Sequence, residues 1–408
     1  MKTNNITQIL LYACALVFLS CGVSSRENSA GADVYPVIDS LPGTCPYLAK
    51  DTEGNLVLSW VRNTSDSTAV FCYAVSIDEG QTFGPANVIP SSTNVHPHSE
   101  NIPKVVFKPS GEIIAVWGAA NPNPMNKYSG MVFYSQSFDK GKTWNKARPL
   151  VNDTTGFDQR YFDMALLPDG EVAITWLDNR KTEKKEGSAL YFARTNGKDG
   201  FVNERNIQQG CCQCCRTDLF VDNSGGIHVL YRGILNDGIR DMVHTISNDG
   251  GITFTEPKRI SADNWVLNAC PHTGPAMAEN SEGLHFAWYT GQEPKGSYYT
   301  RSANKGESFS DRESINVRGS HPQITALQSG ELVIVWDETA PVKGALQSRI
   351  GVQKRSKEGR PLVNTYLSED SLRVSYPVVT ETRDRQTFLS FCRQQKGKSF
   401  VVYKRTSI

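Results

Sequence analysis

Short apolar stretches alternate with polar turns along most of the chain and recur as one unit: an apolar strand, a turn with Gly or Asp, an alternating strand ending in an aromatic, a loop, a third strand and a polar turn. The first copy runs Pro46-Tyr47-Leu48-Ala49, then Leu56-Val57-Leu58-Ser59-Trp60, then Phe71-Cys72-Tyr73-Ala74. The second-strand aromatic returns as Trp60, Trp117, Trp176, Tyr231, Trp288, Trp336 and Phe391, at spacings of 48 to 59 residues. A four-stranded propeller blade needs about 40 to 55 residues, so this period predicts an all-β chain folded as a β-propeller of seven blades, with six as the alternative. The seventh unit, from Tyr376 to about Thr406, has three strands, and Val34-Tyr35-Pro36-Val37-Ile38 is expected to supply the fourth and close the ring.

A length of 408 residues would by itself suggest two or three domains. The repetition overrides that, because each blade buries its faces against two neighbours, and residues 34–408 are expected to form one domain. With 43 Lys+Arg against 42 Asp+Glu the net charge is +1. No global field therefore points to nucleic acid or to an anionic membrane surface, and no Gly-rich phosphate loop follows a strand. At 39% apolar and 10% aromatic residues the chain has material for a large core.

The N-terminus departs from the repeat. Lys2 precedes an apolar run of 11 residues, Ile9 to Leu19, too short to span a bilayer and suited to a signal peptide over 1–20. Its end, Phe18-Leu19-Ser20-Cys21-Gly22, resembles the bacterial lipoprotein cleavage box, in which the Cys is lipidated; the alternative is an ordinary secretory signal with an incidental Cys. A polar stretch over 21–33 then reads as a tether. The body is expected outside the cytoplasm, held to a bacterial membrane only through lipid and otherwise a monomer.

Between third and fourth strands a sharper signature repeats. Ser76-Ile77-Asp78-Glu79-Gly80-Gln81-Thr82-Phe83, Ser137 to Trp144 and Ser247 to Phe254 all fit Ser-x-Asp-x-Gly-x-Thr-aromatic, and Ser302 to Phe309 is a degenerate copy with Asn304 and Ser308. The Asp caps backbone N–H groups, the Gly takes positive φ and the aromatic packs inward. These segments resemble the Asp box, or BNR repeat, of sialidase-superfamily propellers. The resemblance implies a glycan-directed role, with exo-α-sialidase-like hydrolysis as its enzymatic form. The family's sialidases are six-bladed, so a seventh unit sets this chain apart.

In a propeller the loops before each innermost strand and after each second strand meet on one face. They carry Cys45; His96, His98 and Glu100; Asp158, Arg160, Asp163, Asp178 and Arg180; the run Cys211-Cys212-Gln213-Cys214-Cys215-Arg216 with Asp218, Arg232 and Asp237; Cys270 and His272; His321, Asp337 and Glu338; and Tyr376 and Arg393. A sialidase-like site clamps a carboxylate with three Arg and uses a Tyr nucleophile, a Glu that activates it and an Asp acid/base. The resemblance implies Arg160, Arg232 and Arg393 for the clamp, with Tyr376, Glu338 and Asp178 as partners. Family enzymes carry an Arg before the first blade, and Pro42-Gly43-Thr44-Cys45-Pro46-Tyr47 has none. For each Arg the alternative is a salt bridge to a loop carboxylate.

The cysteines carry the other candidate chemistry. Beyond Cys14 and Cys21, eight remain: Cys45, Cys72, Cys211, Cys212, Cys214, Cys215, Cys270 and Cys392. Cys212, Cys214 and Cys215 before blade four and Cys270-Pro271-His272 before blade five stand on adjacent loops, with His96 and His98 from blade two. The pair resembles a bacterial exo-α-sialidase-like subgroup with Cys-x-Cys-Cys in one blade and Cys-Pro in the next. Soft thiolates with imidazole suit Cu(I) or Zn(II). The alternatives are disulfides, such as Cys212 or Cys214 with Cys270, and reactive free thiols. The sequence thus leaves two functions open: a glycoside hydrolase, or a non-hydrolytic propeller binding copper or zinc, or a glycan, at the channel mouth.

Overall fold

The computed structural model describes residues 35–124, 126–152, 158–180, 185–342, 344–367 and 373–408. The expected signal peptide and tether lie outside the described residues. Tyr35–Ile408 is one compact unit.

Six four-stranded antiparallel sheets and one of three strands follow one another along the chain, each a meander in sequence order. They cover 43–88, 104–149, 159–211, 218–259, 276–316, 320–367 and 373–406. The first strand of each sheet touches the first strand of the next, and the seventh returns to the first. Seven blades therefore form a closed ring, as the period predicts. Closure uses the N-terminal segment: Val37 bridges Val402 antiparallel, Ile38 N–H donates to Val401 O at 3.0 Å, and Tyr403 N–H donates to Pro36 O at 3.1 Å.

The period of the aromatics has a packing cause. Trp60, Trp117, Trp176, Tyr231, Trp288, Trp336 and Phe391 all lie in second strands and are all buried, in clusters made of facing blade surfaces. A buried indole needs an acceptor for its N–H. Trp117 finds Asn94 at 2.8 Å, Trp176 finds Asp178 at 3.0 Å, Trp288 finds Asp263 at 2.7 Å and Trp336 finds Glu338 at 2.9 Å.

The repeated Ser-x-Asp-x-Gly segments close the hairpins between third and fourth strands. In the first, Gly80 N–H donates to Ser76 Oγ at 2.8 Å and Thr82 N–H to Asp78 at 2.9 Å. The Asn304 copy keeps the geometry, with Ser308 N–H on Asn304 Oδ1 at 3.0 Å and Gly306 N–H on Ser302 Oγ at 2.8 Å. The glycine serves a second purpose. At Gly251, φ is +86° and a Cβ would stand 2.3 Å from the Phe192 ring of the preceding blade. Each such turn thereby fastens one blade to the last.

Candidate functional site

The inner strands enter the channel through strained backbone. Cys45, Tyr161, His272, His321 and Tyr376 all have positive φ, between 48° and 59°. Four of them fall where the pairing of first and second strands shifts register. Such bulges re-aim a side chain that regular pleating would send into the sheet.

A buried ion pair ties the entry segments of blades two, four, five and six together. Arg216 Nη1 donates to Glu100 Oε1 at 2.7 Å, Gly274 N–H donates to Glu100 Oε2 at 2.7 Å, and Arg216 Nη2 reaches Pro275 O and Pro322 O, each at 3.1 Å. Glu100 is 1% exposed and Arg216 5%. Each partner stands within two residues of a candidate ligand: His98 before Glu100, Cys215 before Arg216 and His272 before Gly274. This bond set positions the site.

The loops of blades two to five converge on one cavity of about 560 Å³. Its lining includes His96, His98, Arg160, Cys214, Cys270 and His272, so six of the sequence-named candidates are brought together. Asn101, Asn126, Lys127, Tyr128 and Gln213 add polar groups for which the sequence offered no signal beyond their place in loops.

Cys212, Cys214 and Cys215 lie at and behind the cavity wall. Along a strand neighbouring thiols would point apart, but Cys212–Cys215 make a turn, anchored by Cys212 N–H donating to Arg232 O at 2.8 Å. The three sulfurs lie within 4.8 Å of one another, Cys212 and Cys214 at 3.5 Å. Cys211 is not one of this group, although all four cysteines share an apolar core cluster with Leu190, Ile227 and Tyr231. None of the eight described cysteines is joined in a disulfide.

Two guanidinium groups touch this cluster. Arg240 Nη1 is 3.3 Å from Cys212 Sγ, and Arg232 Nε is 3.4 Å from Cys215 Sγ. Hydrogen bonds from the Cys214 and Cys215 thiols, then Arg232 and Arg240, hold the Cys212 thiol far below the ordinary range. Sharing with Cys212 pushes Cys214 upward. The cluster thus favours a thiolate at Cys212 and can hold a soft metal ion.

The imidazoles of the cavity differ in their partners. Burial, then the neighbouring His272, lowers the His98 pKa to about 4. Its Nδ1 accepts from Glu100 N–H at 3.2 Å, which leaves the proton on Nε2 and makes His98 a donor in this arrangement. His272, 5.7 Å from His98 between ring centres, has a buried Nδ1 with no hydrogen-bond partner among the described residues. His96 and Cys270 are exposed.

The residues named for hydrolysis are dispersed. Arg160 lines the cavity but pairs with Asp158. Asp178 is fully buried and bonded to Trp176 and Arg180, and Glu338 is bonded to Trp336 and Arg349. Arg232, 1% exposed, donates to the carbonyls of Arg240, Thr273 and Tyr289 as well as to Cys215. Arg393 stands in the second strand of blade seven and reaches Gln395 at 3.5 Å. Tyr376 stacks on His321 at 4.1 Å, and its backbone N–H joins His321 Nδ1 on Asp337, at 2.7 and 2.9 Å. Burial, then the charge of Glu100, raises the Tyr376 phenol well above its ordinary range.

Comparison with solved structures places this ring in a known architecture. A protein of unknown function from Dyadobacter fermentans aligns with TM-score 0.53 at 14% identity, over 76% of this chain and 97% of that one. The intramolecular trans-sialidase of Ruminococcus gnavus, in complex with oseltamivir carboxylate, aligns with TM-score 0.53 at 10% identity, over 90% and 94%. The fold is that of a sialidase-like propeller. NanB sialidase from Streptococcus pneumoniae gives 0.51 at 13%, over 92% of this chain and 70% of its own. Identities this low speak for the fold alone. No protein-family model matches the chain, and no curated protein does.

Proposed function

We propose that this sialidase-like propeller is an extracytoplasmic metal-binding protein that holds a soft transition ion, copper or zinc, on Cys212, Cys214 and Cys215. One observation carries the reading: three buried thiols within 4.8 Å of one another, two of them in contact with guanidinium groups. An ion that takes three thiolates would stabilise the turn that gathers them. The bound ion would supply a soft Lewis-acid centre. The chain's own residues orient it: the turn converges the sulfurs, Arg232 and Arg240 steady their charge, and Cys214 alone of the three opens to the cavity. His98 offers an N–H, and Cys270 and His272 stand where an arriving ion or ligand would first meet protein. A lipid anchor at Cys21 would keep the protein at a membrane surface.

The test is metal content per chain in protein purified without chelator. About one copper or zinc is expected, lost in Cys214→Ser and Cys212→Ser with the fold intact by circular dichroism. Absence of metal, with a mass two hydrogens short from a Cys212–Cys214 disulfide, would overturn the reading.

A second reading, glycan binding or hydrolysis, draws on the shared fold and on the size and polar lining of the cavity, where Arg160 and Lys127 bring positive charge. Release of an acidic sugar from a fluorogenic conjugate, abolished by Arg160→Ala and by Lys127→Ala, would support it. Turnover unaffected by both would refute that site.

A further inference from the structure

We infer that the thiol centre is charge-matched to a monovalent soft cation, Cu(I), and disfavours a dication; the inference rests on the metal reading of Cys212, Cys214 and Cys215. Three thiolates carry three negative charges, and two buried positive charges answer them. Arg232 is 1% exposed, and its remaining N–H groups go to neutral carbonyls. Among the described residues it forms no ion pair with a carboxylate, so its charge is directed at the sulfurs. Arg240 is 7% exposed and touches Cys212. Its other end meets Glu186 at 3.0 Å, but that side chain is 64% exposed and its charge is largely solvated. The buried remainder is one negative charge. One Cu(I) brings it to zero, while Zn(II) would leave a net positive charge out of water, which is costly.

Ligand number agrees. Among the described residues no fourth Cys, His, Asp or Glu atom joins the three sulfurs within 4.8 Å, and structural zinc takes four ligands in nearly every case. The neighbouring Cys211 stands outside this group of sulfurs, and His98 accepts a backbone N–H on Nδ1, which leaves its proton on Nε2. Thiolate softness favours Cu(I) over harder ions in the same direction.

The charge contribution can be separated from softness by changing the guanidinium and leaving the sulfurs alone. One extra unit of ion charge facing a guanidinium about 5 Å away, at an effective dielectric of about 20, alters affinity on the order of a hundredfold, and partial pairing with Glu186 reduces this to about tenfold or more. The experiment uses the mature chain under anaerobic conditions. Cu(I) is titrated against bathocuproine disulfonate and Zn(II) against a chromogenic zinc chelator, for wild type, Arg240→Gln, Arg240→Lys and the exposed-site variant Glu186→Lys. Wild type is expected to bind one Cu(I) with three sulfur neighbours by X-ray absorption. The ratio of Zn(II) to Cu(I) affinity should rise about tenfold in Arg240→Gln, return toward wild type in Arg240→Lys and fall in Glu186→Lys. A ratio unmoved in Arg240→Gln, or one that rises in Glu186→Lys, overturns charge matching while leaving metal binding standing. Failure of wild type to bind either ion overturns the metal reading itself, and the inference with it.

Discussion

Replacing Arg216 by Met separates the parts of the molecule that form the ring from the part that positions the site. Arg216 is 5% exposed and its guanidinium bonds to Glu100, Pro275 and Pro322, which belong to the loops entering blades two, five and six. Met approximates the stem but leaves the Glu100 carboxylate, 1% exposed, with the Gly274 N–H as its remaining hydrogen-bond partner among the described residues. Removing one member of a buried pair typically costs about 3–5 kcal/mol, because the other charge is stranded. Arg216→Met is therefore expected to lose about that much stability in urea unfolding followed by tryptophan fluorescence. The double variant Glu100→Gln/Arg216→Met strands no charge. It should be less destabilised than the sum of the single variants, by about 1–3 kcal/mol. Metal affinity should fall in the single variant, since Cys215 is covalently joined to the displaced residue. A loss under about 1 kcal/mol, or a double variant equal to the sum, would refute the claim that this pair holds the loops in register.

Two further predictions test the same framework. Gly274 has no room for a side chain, since a Cβ there would stand 2.6 Å from Arg216 O; Gly274→Ala should shift the blade-five entry loop, cost about 1–3 kcal/mol and weaken metal binding, read by unfolding and chelator competition. Burial lowers the pKa of His285 to about 4, so the unfolded chain takes up this proton first as pH falls below about 6.5. Stability from this residue is complete above that pH and is lost toward pH 4, at roughly 1 kcal/mol per pH unit. His285→Gln should flatten that slope in melts across pH 4–7, and an unchanged slope would refute the assignment.

Legibility of the molecule differed between its strands and its loops. Trp60 through Phe391 could be placed on second strands because a blade needs one large buried side chain at the same depth each time, and that need is written as a period. The seven-blade count and the N-terminal closure at Val37 followed from it. The hairpin turns were equally readable, since Asp78 and Asn304 act on neighbours within a few residues of themselves. Convergence of His96, His98, Arg160, Cys214, Cys270 and His272 was foreseeable from which loops share a face. What each polar side chain does there was not. Asp178 and Glu338 stand where a site acid would, two residues past a Trp, and each accepts that indole's N–H.

The sequence alone determined the architecture, because strand period, turn chemistry and blade size depend on short stretches of chain. Only the tertiary structure decided the site. Which thiols face one another depended on a turn at Cys212–Cys215 rather than a strand, and which guanidinium groups meet them depended on how the loops of blade four fold back, since Arg232 and Arg240 stand 17 and 28 residues along the chain from the thiols they touch. Arg216 meets Glu100 from 116 residues away, a pairing that buried charge demands and that no local pattern records.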